Sequence, residues 1–515
     1  MTPVPLGTPE PAAGPLLAAA AEPNENLGAL LPELALLVAA VVGLLAGSWL
    51  PRRRQYLVGL LAAAACLTGL AATAVTAATG GEQTVFHAAF AVDTATTAGR
   101  AIVLCSLLLV LAASADGIRG NARETEFHVL LLLSTAGALV MVGADDLLLL
   151  LAGYLLASLP AYALTGFAKD GLGTEAALKY YLLGALFGTT ALAGVALLHA
   201  AGRTTGYRAL HTALPDAPYA LAAVGLLAVL AGLLFKAGAV PAHFWVPDVT
   251  AGAPAAVAAF VTTVPKAGAL LACYRLLHQA VPDTAVNWPL LLAVLAAASM
   301  TLGNLAAFWQ TSVRRLLAYS TIAQVGYLLM AVAVAIRSDL AQQGLLSYLA
   351  AYSATQLGVF AVVVHLPGAR ELSDYRGLAR HRPGLAAVLA VCLLGLVGTP
   401  PTGIFLGKLE VFSATVDGGY AWLAILAVAN TVASLFYYLR WLAPLFRPDS
   451  PGADEAAPDT SGGSDPAAPD GDRPRAWAPA GPWSAGAAYT AAAASLVLGL
   501  AGGAVLPLAL GPLLR

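Results

Sequence analysis

The chain has 515 residues, of which 59% are hydrophobic and 10% charged, where a soluble domain carries about 25% charged residues. That excludes an ordinary water-soluble enzyme, and a formal net charge of −2 without a basic stripe interleaved with aromatics excludes a nucleic-acid binder. Fifty-one Gly and 32 Pro, both tolerated in membrane helices, place most of the chain in lipid.

Residues 1–28 hold no Lys or Arg, so they lack the positive start of a secretory signal and read as a disordered lead-in. From there, windows of about 20 apolar residues predict an all-α membrane protein of about 14 transmembrane helices. They fall near 29–50, 56–78, 100–116, 127–143, 146–166, 178–200, 219–241, 254–274, 288–309, 316–336, 344–365, 384–411, 420–445 and 484–511. Pro265 interrupts the eighth, and Pro400 and Pro401 the twelfth.

Loop charge tests the count, because cytoplasmic loops collect Lys and Arg. Odd-numbered loops hold 15 of them, including Arg52, Arg53 and Arg54, while even-numbered loops hold only Arg203, Arg208, Arg275 and Arg337. Fourteen spans with both termini on the outer side follow. The stretch 446–483, rich in Pro, Gly, Ser and Asp, reads as a disordered cytoplasmic linker to the last helix at 484–515. Cys66, Cys105, Cys273 and Cys392 sit singly in apolar runs and suit neither a zinc nor an iron–sulfur site.

The 26 basic residues comprise 21 Arg and five Lys, yet Lys236, Lys266 and Lys408 each fall inside an apolar segment. A charge at mid-membrane costs about 2.5–3.5 kcal/mol on insertion scales and marks an ion or proton path. Arg cannot release its proton in a protein, whereas a desolvated Lys amine can. Each lysine also lies close to proline: Pro241 follows Lys236 by five residues, Pro265 precedes Lys266, and Pro400 and Pro401 precede Lys408. Broken backbone inside a membrane is tolerated where it lines protein or a wet cavity, as in transporters. A broken, Lys-bearing helix in each half, crossing in opposite senses, suggests two inverted five-helix repeats, helices 4–8 (127–274) and 9–13 (288–445), after three N-terminal helices (29–126).

The strings FKAGAVPAHFWVPDVTAGAPAAVAAFVTTVPKAGALL (235–271), MTLGNLAAFWQTSVRRLLAYSTIAQVGYLL (300–329) and GTPPTGIFLGKLEVFSA (398–414) resemble the subunit N family of bacterial NADH-quinone oxidoreductase, respiratory complex I. The likeness spans nearly the whole chain after residue 28. It implies a proton-translocating membrane-arm subunit without redox chemistry of its own, beside antiporter-like neighbours and partners that carry NADH, FMN, iron–sulfur clusters and quinone. By that likeness Lys236 is the proton-accepting amine, Lys266 the connecting relay and Lys408 the exit-side amine, with His243 and Gln324 as secondary relay candidates.

Two departures stand out. The family pattern places a glutamate three residues before the Ser-Leu-Pro string, where this chain has Leu155, and Asp146 lies about 14 Å further along the same helix. Without that carboxylate, Lys236 is expected to drift towards its neutral form, with weakened or altered pumping in a divergent paralogue. Gln324 replaces a usual histidine and cannot titrate near neutral pH. A cation/proton antiporter, a hydrogenase-type membrane subunit and a non-pumping structural paralogue therefore stay open. Glu33 and Asp93 are expected at the membrane interface, and Glu175 with Lys179 as a local i,i+4 pair.

Overall fold

The computed structural model describes residues 25–80, 82–283, 286–448 and 480–502. The lead-in up to residue 24, the linker over 449–479 and the last span beyond 502 lie outside them. In chain order the elements are α1 (Leu31–Trp49), α2 (Tyr56–Thr79), the strands β1 (Gln83–Val85) and β2 (Phe90–Val92), α3 (Thr94–Ile118), α4 (Glu124–Gly143), α5 (Leu147–Thr165), α6 (Gly171–Gly202) and α7 (Tyr207–Ala213). There follow α8 (Tyr219–Ala237), α9 (Trp245–Gly252), α10 (Ala255–Val261), α11 (Val264–Gln279), α12 (Trp288–Ala307), α13 (Val313–Ala333) and α14 (Leu340–His365). The chain closes with α15 (Leu378–His381), α16 (Pro383–Val397), α17 (Gly403–Asp417), α18 (Ala421–Phe446) and α19 (Pro482–Leu500).

Among the described residues, 13 helical stretches are long and apolar enough to cross a membrane, α10 and α11 counting together. The fourteenth crossing is split between α16 and α17, so the predicted set of spans is recovered. Ends follow local chemistry. Asp93, Asp146 and Asp170 accept backbone N–H groups at the starts of α3, α5 and α6. Prolines occupy the first turn of α1, α11, α12, α16 and α19, where a missing N–H costs no intrahelical bond.

Pro265 is therefore not the interruption expected of it; the break falls before it, at Thr262–Thr263, between α10 and α11. Residues Leu27–Leu30, expected to begin at the edge of the lead-in, form a 3-10 turn capped by the Asn26 side chain. The hairpin β1–β2, paired antiparallel with Gln83 opposite Val92, was invisible to a 20-residue window.

Burial differs between the spans. The α10–α11 span is fully buried and α13 94% buried, whereas α2 and α6 are 33% buried and present lipid-facing surfaces. Two carboxylates expected at the interface are instead buried and paired. Glu33 receives Nε and Nη2 of Arg100, each at 2.8 Å, and Asp93 receives both terminal nitrogens of Arg275 at 2.7 and 2.8 Å. Such bidentate pairs keep a charge tolerable away from water because each oxygen finds a donor. They tie α1 to α3, and the head of α3 to the far end of α11. Glu175 and Lys179 do form the local pair, at 2.8 Å, on an exposed surface.

Candidate functional site: three buried amines at three helix breaks

α8 stops one residue after Lys236, at Gly238, whose φ of +77° lies in the left-handed region open to glycine. A Cβ there would stand 2.8 Å from Val246 Cγ2, and 3.9 Å from the Lys266 amine. The stump of α8 is held by Trp245, whose Nε1 donates to the Phe235 carbonyl at 2.8 Å while its ring stacks on Tyr180 at 4.4 Å. Lys236 is buried and donates to Ser158 Oγ at 2.6 Å, 5.5 Å above the Tyr154 ring. Tyr154 and Ser158 are one helical turn apart on α5 and so share a face. Leu155 is turned off that face and is 44% exposed.

Lys266 opens α11 and is fully buried, and its Nζ has no hydrogen-bond partner among the described residues. Its nearest ring is Tyr352, at 6.0 Å. The Tyr352 hydroxyl donates to the Thr262 carbonyl at the α10–α11 break, 3.1 Å away, and meets Thr321 Oγ1 at 3.2 Å. Gln356 Nε2 donates to that same Thr321 oxygen at 2.9 Å.

One turn along, Gln324 accepts from the Tyr348 hydroxyl at 2.5 Å and donates to the Leu396 carbonyl at 2.8 Å, in the last turn of α16. The Ser320 and Tyr438 hydroxyls are 2.5 Å apart beside it. α16 ends at Gly398, with φ +89°, where a Cβ would stand 2.9 Å from Lys408 Cδ. Lys408 reaches back across the break to donate to the Val397 carbonyl at 2.8 Å and to Thr431 Oγ1 at 3.2 Å, over the Tyr327 ring at 4.3 Å. The breaks after α8 and α16 thus each begin at a left-handed glycine beside a lysine side chain, whereas that between α10 and α11 falls at Thr262–Thr263.

His243 lies in the segment between α8 and α9, half-buried, with Nδ1 lacking a partner among the described residues and its ring against Phe244. Asp248, on α9, binds Lys179 at 2.9 Å and Arg315 at 3.2 Å. Asp146 is engaged as the α5 cap and by Thr205 Oγ1 at 2.5 Å. Sequence reasoning missed Ser158, Tyr348, Tyr352, Thr321 and Gln356. The signal was present: Tyr348, Tyr352 and Gln356 recur every four residues and so share one face of α14. No group of three His, Cys, Asp or Glu that could hold a metal ion occurs among the described residues.

Buried hydroxyl, amide and amine groups drawn from α5, α13, α14 and α18 thus gather at the three helix breaks. Residues 144–434 match the NADH:quinone oxidoreductase/Mrp antiporter transmembrane family. The chain is 54% identical to NADH-quinone oxidoreductase subunit N 1 of Streptomyces griseus subsp. griseus over 483 residues, 94% of this chain and 98% of that one. It is 49% identical to NADH-quinone oxidoreductase subunit N of Mycobacterium sp. (strain JLS), again over 94% of this chain and 98% of the relative. Its fold superimposes, with a TM-score of 0.76 and 32% identity, on a chain of respiratory complex I from Thermus thermophilus with bound aureothin, covering 93% of this chain and all of that one. By these measures the chain belongs to the subunit N family of NADH-quinone oxidoreductase.

Proposed function

We propose that this chain is a proton-translocating membrane-arm subunit of NADH-quinone oxidoreductase, in which Lys236, Lys266 and Lys408 take up and pass on protons as quinone reduction elsewhere in the complex changes their surroundings. The observation that carries this reading is the placement of three buried lysines at helix breaks, with one hydrogen-bonded group, Tyr352, Thr321 and Gln356, at the α10–α11 break and a second, Tyr348 and Gln324, at the end of α16. A permanently charged ammonium at this depth is costly, and Lys266 is buried without a hydrogen-bond partner among the described residues, so it holds a proton only while its surroundings favour the charged form. Hydroxyls both donate and accept, so with intervening water they can hand a proton from one amine towards the next, each new O–H bond forming as another breaks and the positive charge moving with it.

The alternation of loop charge supports an orientation with both termini outside. In that sense Lys236 is the loading amine, Lys266 the centre and Lys408 the exit. His243, with a ring nitrogen free of partners among the described residues, stands where a proton would enter towards Lys236, and Gln324 links the centre to the exit. NADH, FMN, iron–sulfur clusters and quinone belong to partner subunits, and the lipid-facing surfaces of α2 and α6 leave room for antiporter-like neighbours.

The reading is tested in the native complex reconstituted into vesicles. Lys236→Ala should lower the protons moved per electron while NADH oxidation in leaky vesicles continues. An unchanged yield would favour a structural paralogue that keeps the fold without pumping.

A further inference from the structure

The titratable group this relay leaves unused is Glu410. It lies two residues after Lys408 on α17, and a two-residue step turns a helix by about 200°, so the carboxyl points away from the amine. Lys408 faces α13 and α18; Glu410 faces α14, where the Ser347 hydroxyl donates to it. It forms no ion pair among the described residues. A carboxyl seven residues, about 10 Å, from the end of a membrane helix is expensive if it stays ionised without a cation.

Glu410 lines a cavity of about 890 Å³ between α2, α3, α14, α17 and α19. The cavity reaches Gly403, the residue at which α17 restarts after the break, and at its other end Thr94, the first residue of α3. Thr73 and Thr97 add hydroxyls along its wall, and Thr94 Oγ1 donates to exposed Glu82 at 3.3 Å. Most of the wall is apolar, so any bridging waters would be held along the line of Glu410, Ser347, Thr73, Thr97 and Thr94. The Lys408 amine rests on the Val397 carbonyl, on the opposite lip of the same break.

We propose that Glu410 is the proton-release carboxyl of this subunit, taking the proton that leaves Lys408 by way of water at the α16–α17 break and passing it along the cavity to the outer surface. An Nζ–H bond breaks and an O–H bond forms on the Glu410 carboxylate; that bond then breaks as water takes the proton, and no electrons change hands. The inference rests on the exit role and orientation given to Lys408 above.

The test compares complexes carrying Glu410→Gln, Glu410→Asp and Lys408→Ala in sealed vesicles, reading protons moved per electron. Glu410→Gln should lose as much yield as Lys408→Ala, Glu410→Asp should recover part of it, and Thr97→Phe, which fills the cavity and leaves the carboxyl in place, should also lose yield. Lys408→Ala lowering the yield while Glu410→Gln and Thr97→Phe leave it intact would overturn the proposal, making Glu410 a static partner of Ser347 beside a lipid-filled cavity. If Lys408→Ala itself had no effect, the exit role of the lysine would have failed first, and the proposal with it. Should Glu410→Gln not assemble, Thr97→Phe decides alone.

Discussion

The Lys236 amine rests 2.6 Å from the Ser158 hydroxyl, so it is met by a neutral dipole of α5 and not by a carboxylate. Ser158 in turn donates to the Tyr154 carbonyl, which orients its oxygen lone pairs at the amine. Ser158→Ala removes that acceptor. The expected result is a destabilisation of about 1–3 kcal/mol, the cost of leaving a buried polar group unpaired, together with a lower proton yield per electron. Thermal unfolding of the purified complex and pumping in vesicles check the two parts.

Leu155, the position where the family pattern has glutamate, is turned towards the lipid-facing side of α5 and is 44% exposed. A carboxylate there meets lipid before it meets Lys236. Leu155→Glu should therefore lower the amount of assembled complex without raising its proton yield. A gain in yield would show that the longer side chain curls back to the amine, and that the missing charge limits pumping.

Gln324 joins two elements, accepting from the Tyr348 hydroxyl on α14 and donating to the Leu396 carbonyl at the end of α16. Gln324→Leu leaves both partners unpaired, at about 1–3 kcal/mol each, and should cut the proton yield while NADH oxidation in leaky vesicles persists. Gln324→His keeps a donor and an acceptor and should retain pumping, with a new pH dependence near the histidine range, about pH 6.5. Equal yields from the leucine and histidine variants would remove Gln324 from the relay.

Gly398 holds φ at +89°, and a Cβ would press to 2.9 Å on Lys408 Cδ. Gly398→Ala should cost about 1–2 kcal/mol in backbone strain and displace the amine from the Val397 carbonyl. Pumping should fall further than stability alone explains, measured by comparing vesicle yield with the melting temperature of the complex.

Asp145 lies in the turn between α4 and α5. Burial pushes its carboxyl up to about 7, the positive charge of Arg275 opposing and the negative charge of Asp93 adding to the effect. The folded state then holds a proton that the unfolded chain has lost between about pH 4 and 7, so stability falls as pH rises through that window. Asp145→Asn abolishes the loss. Its melting temperature should match the parent near pH 4 and exceed it increasingly up to pH 8, with an upper limit of about 4 kcal/mol. A gap that did not grow with pH would place the Asp145 carboxyl in water.

The spans were legible because length and apolarity alone fix them, and the three lysines because a charge in lipid demands a reason. What stayed hidden depended on which way a side chain turns about its helix axis. Nothing in a hydropathy window tells that Glu33 and Asp93 meet Arg100 and Arg275, which are 67 and 182 residues away in the chain. The polar groups gathered around the amines likewise come from α5, α13, α14 and α18, which only packing brings together. The four-residue spacing of Tyr348, Tyr352 and Gln356 was readable as one face, but not as a face turned towards Lys266.

The most direct test falls on Lys266, the amine that has no hydrogen-bond partner among the described residues and lies between the other two. Lys266→Met keeps the length of the side chain and removes the site for a proton. In sealed vesicles carrying the assembled complex, the number of protons moved per NADH oxidised should drop while the rate of oxidation in leaky vesicles stays within reach of the parent. An unaltered ratio would mean that protons do not travel by way of these amines.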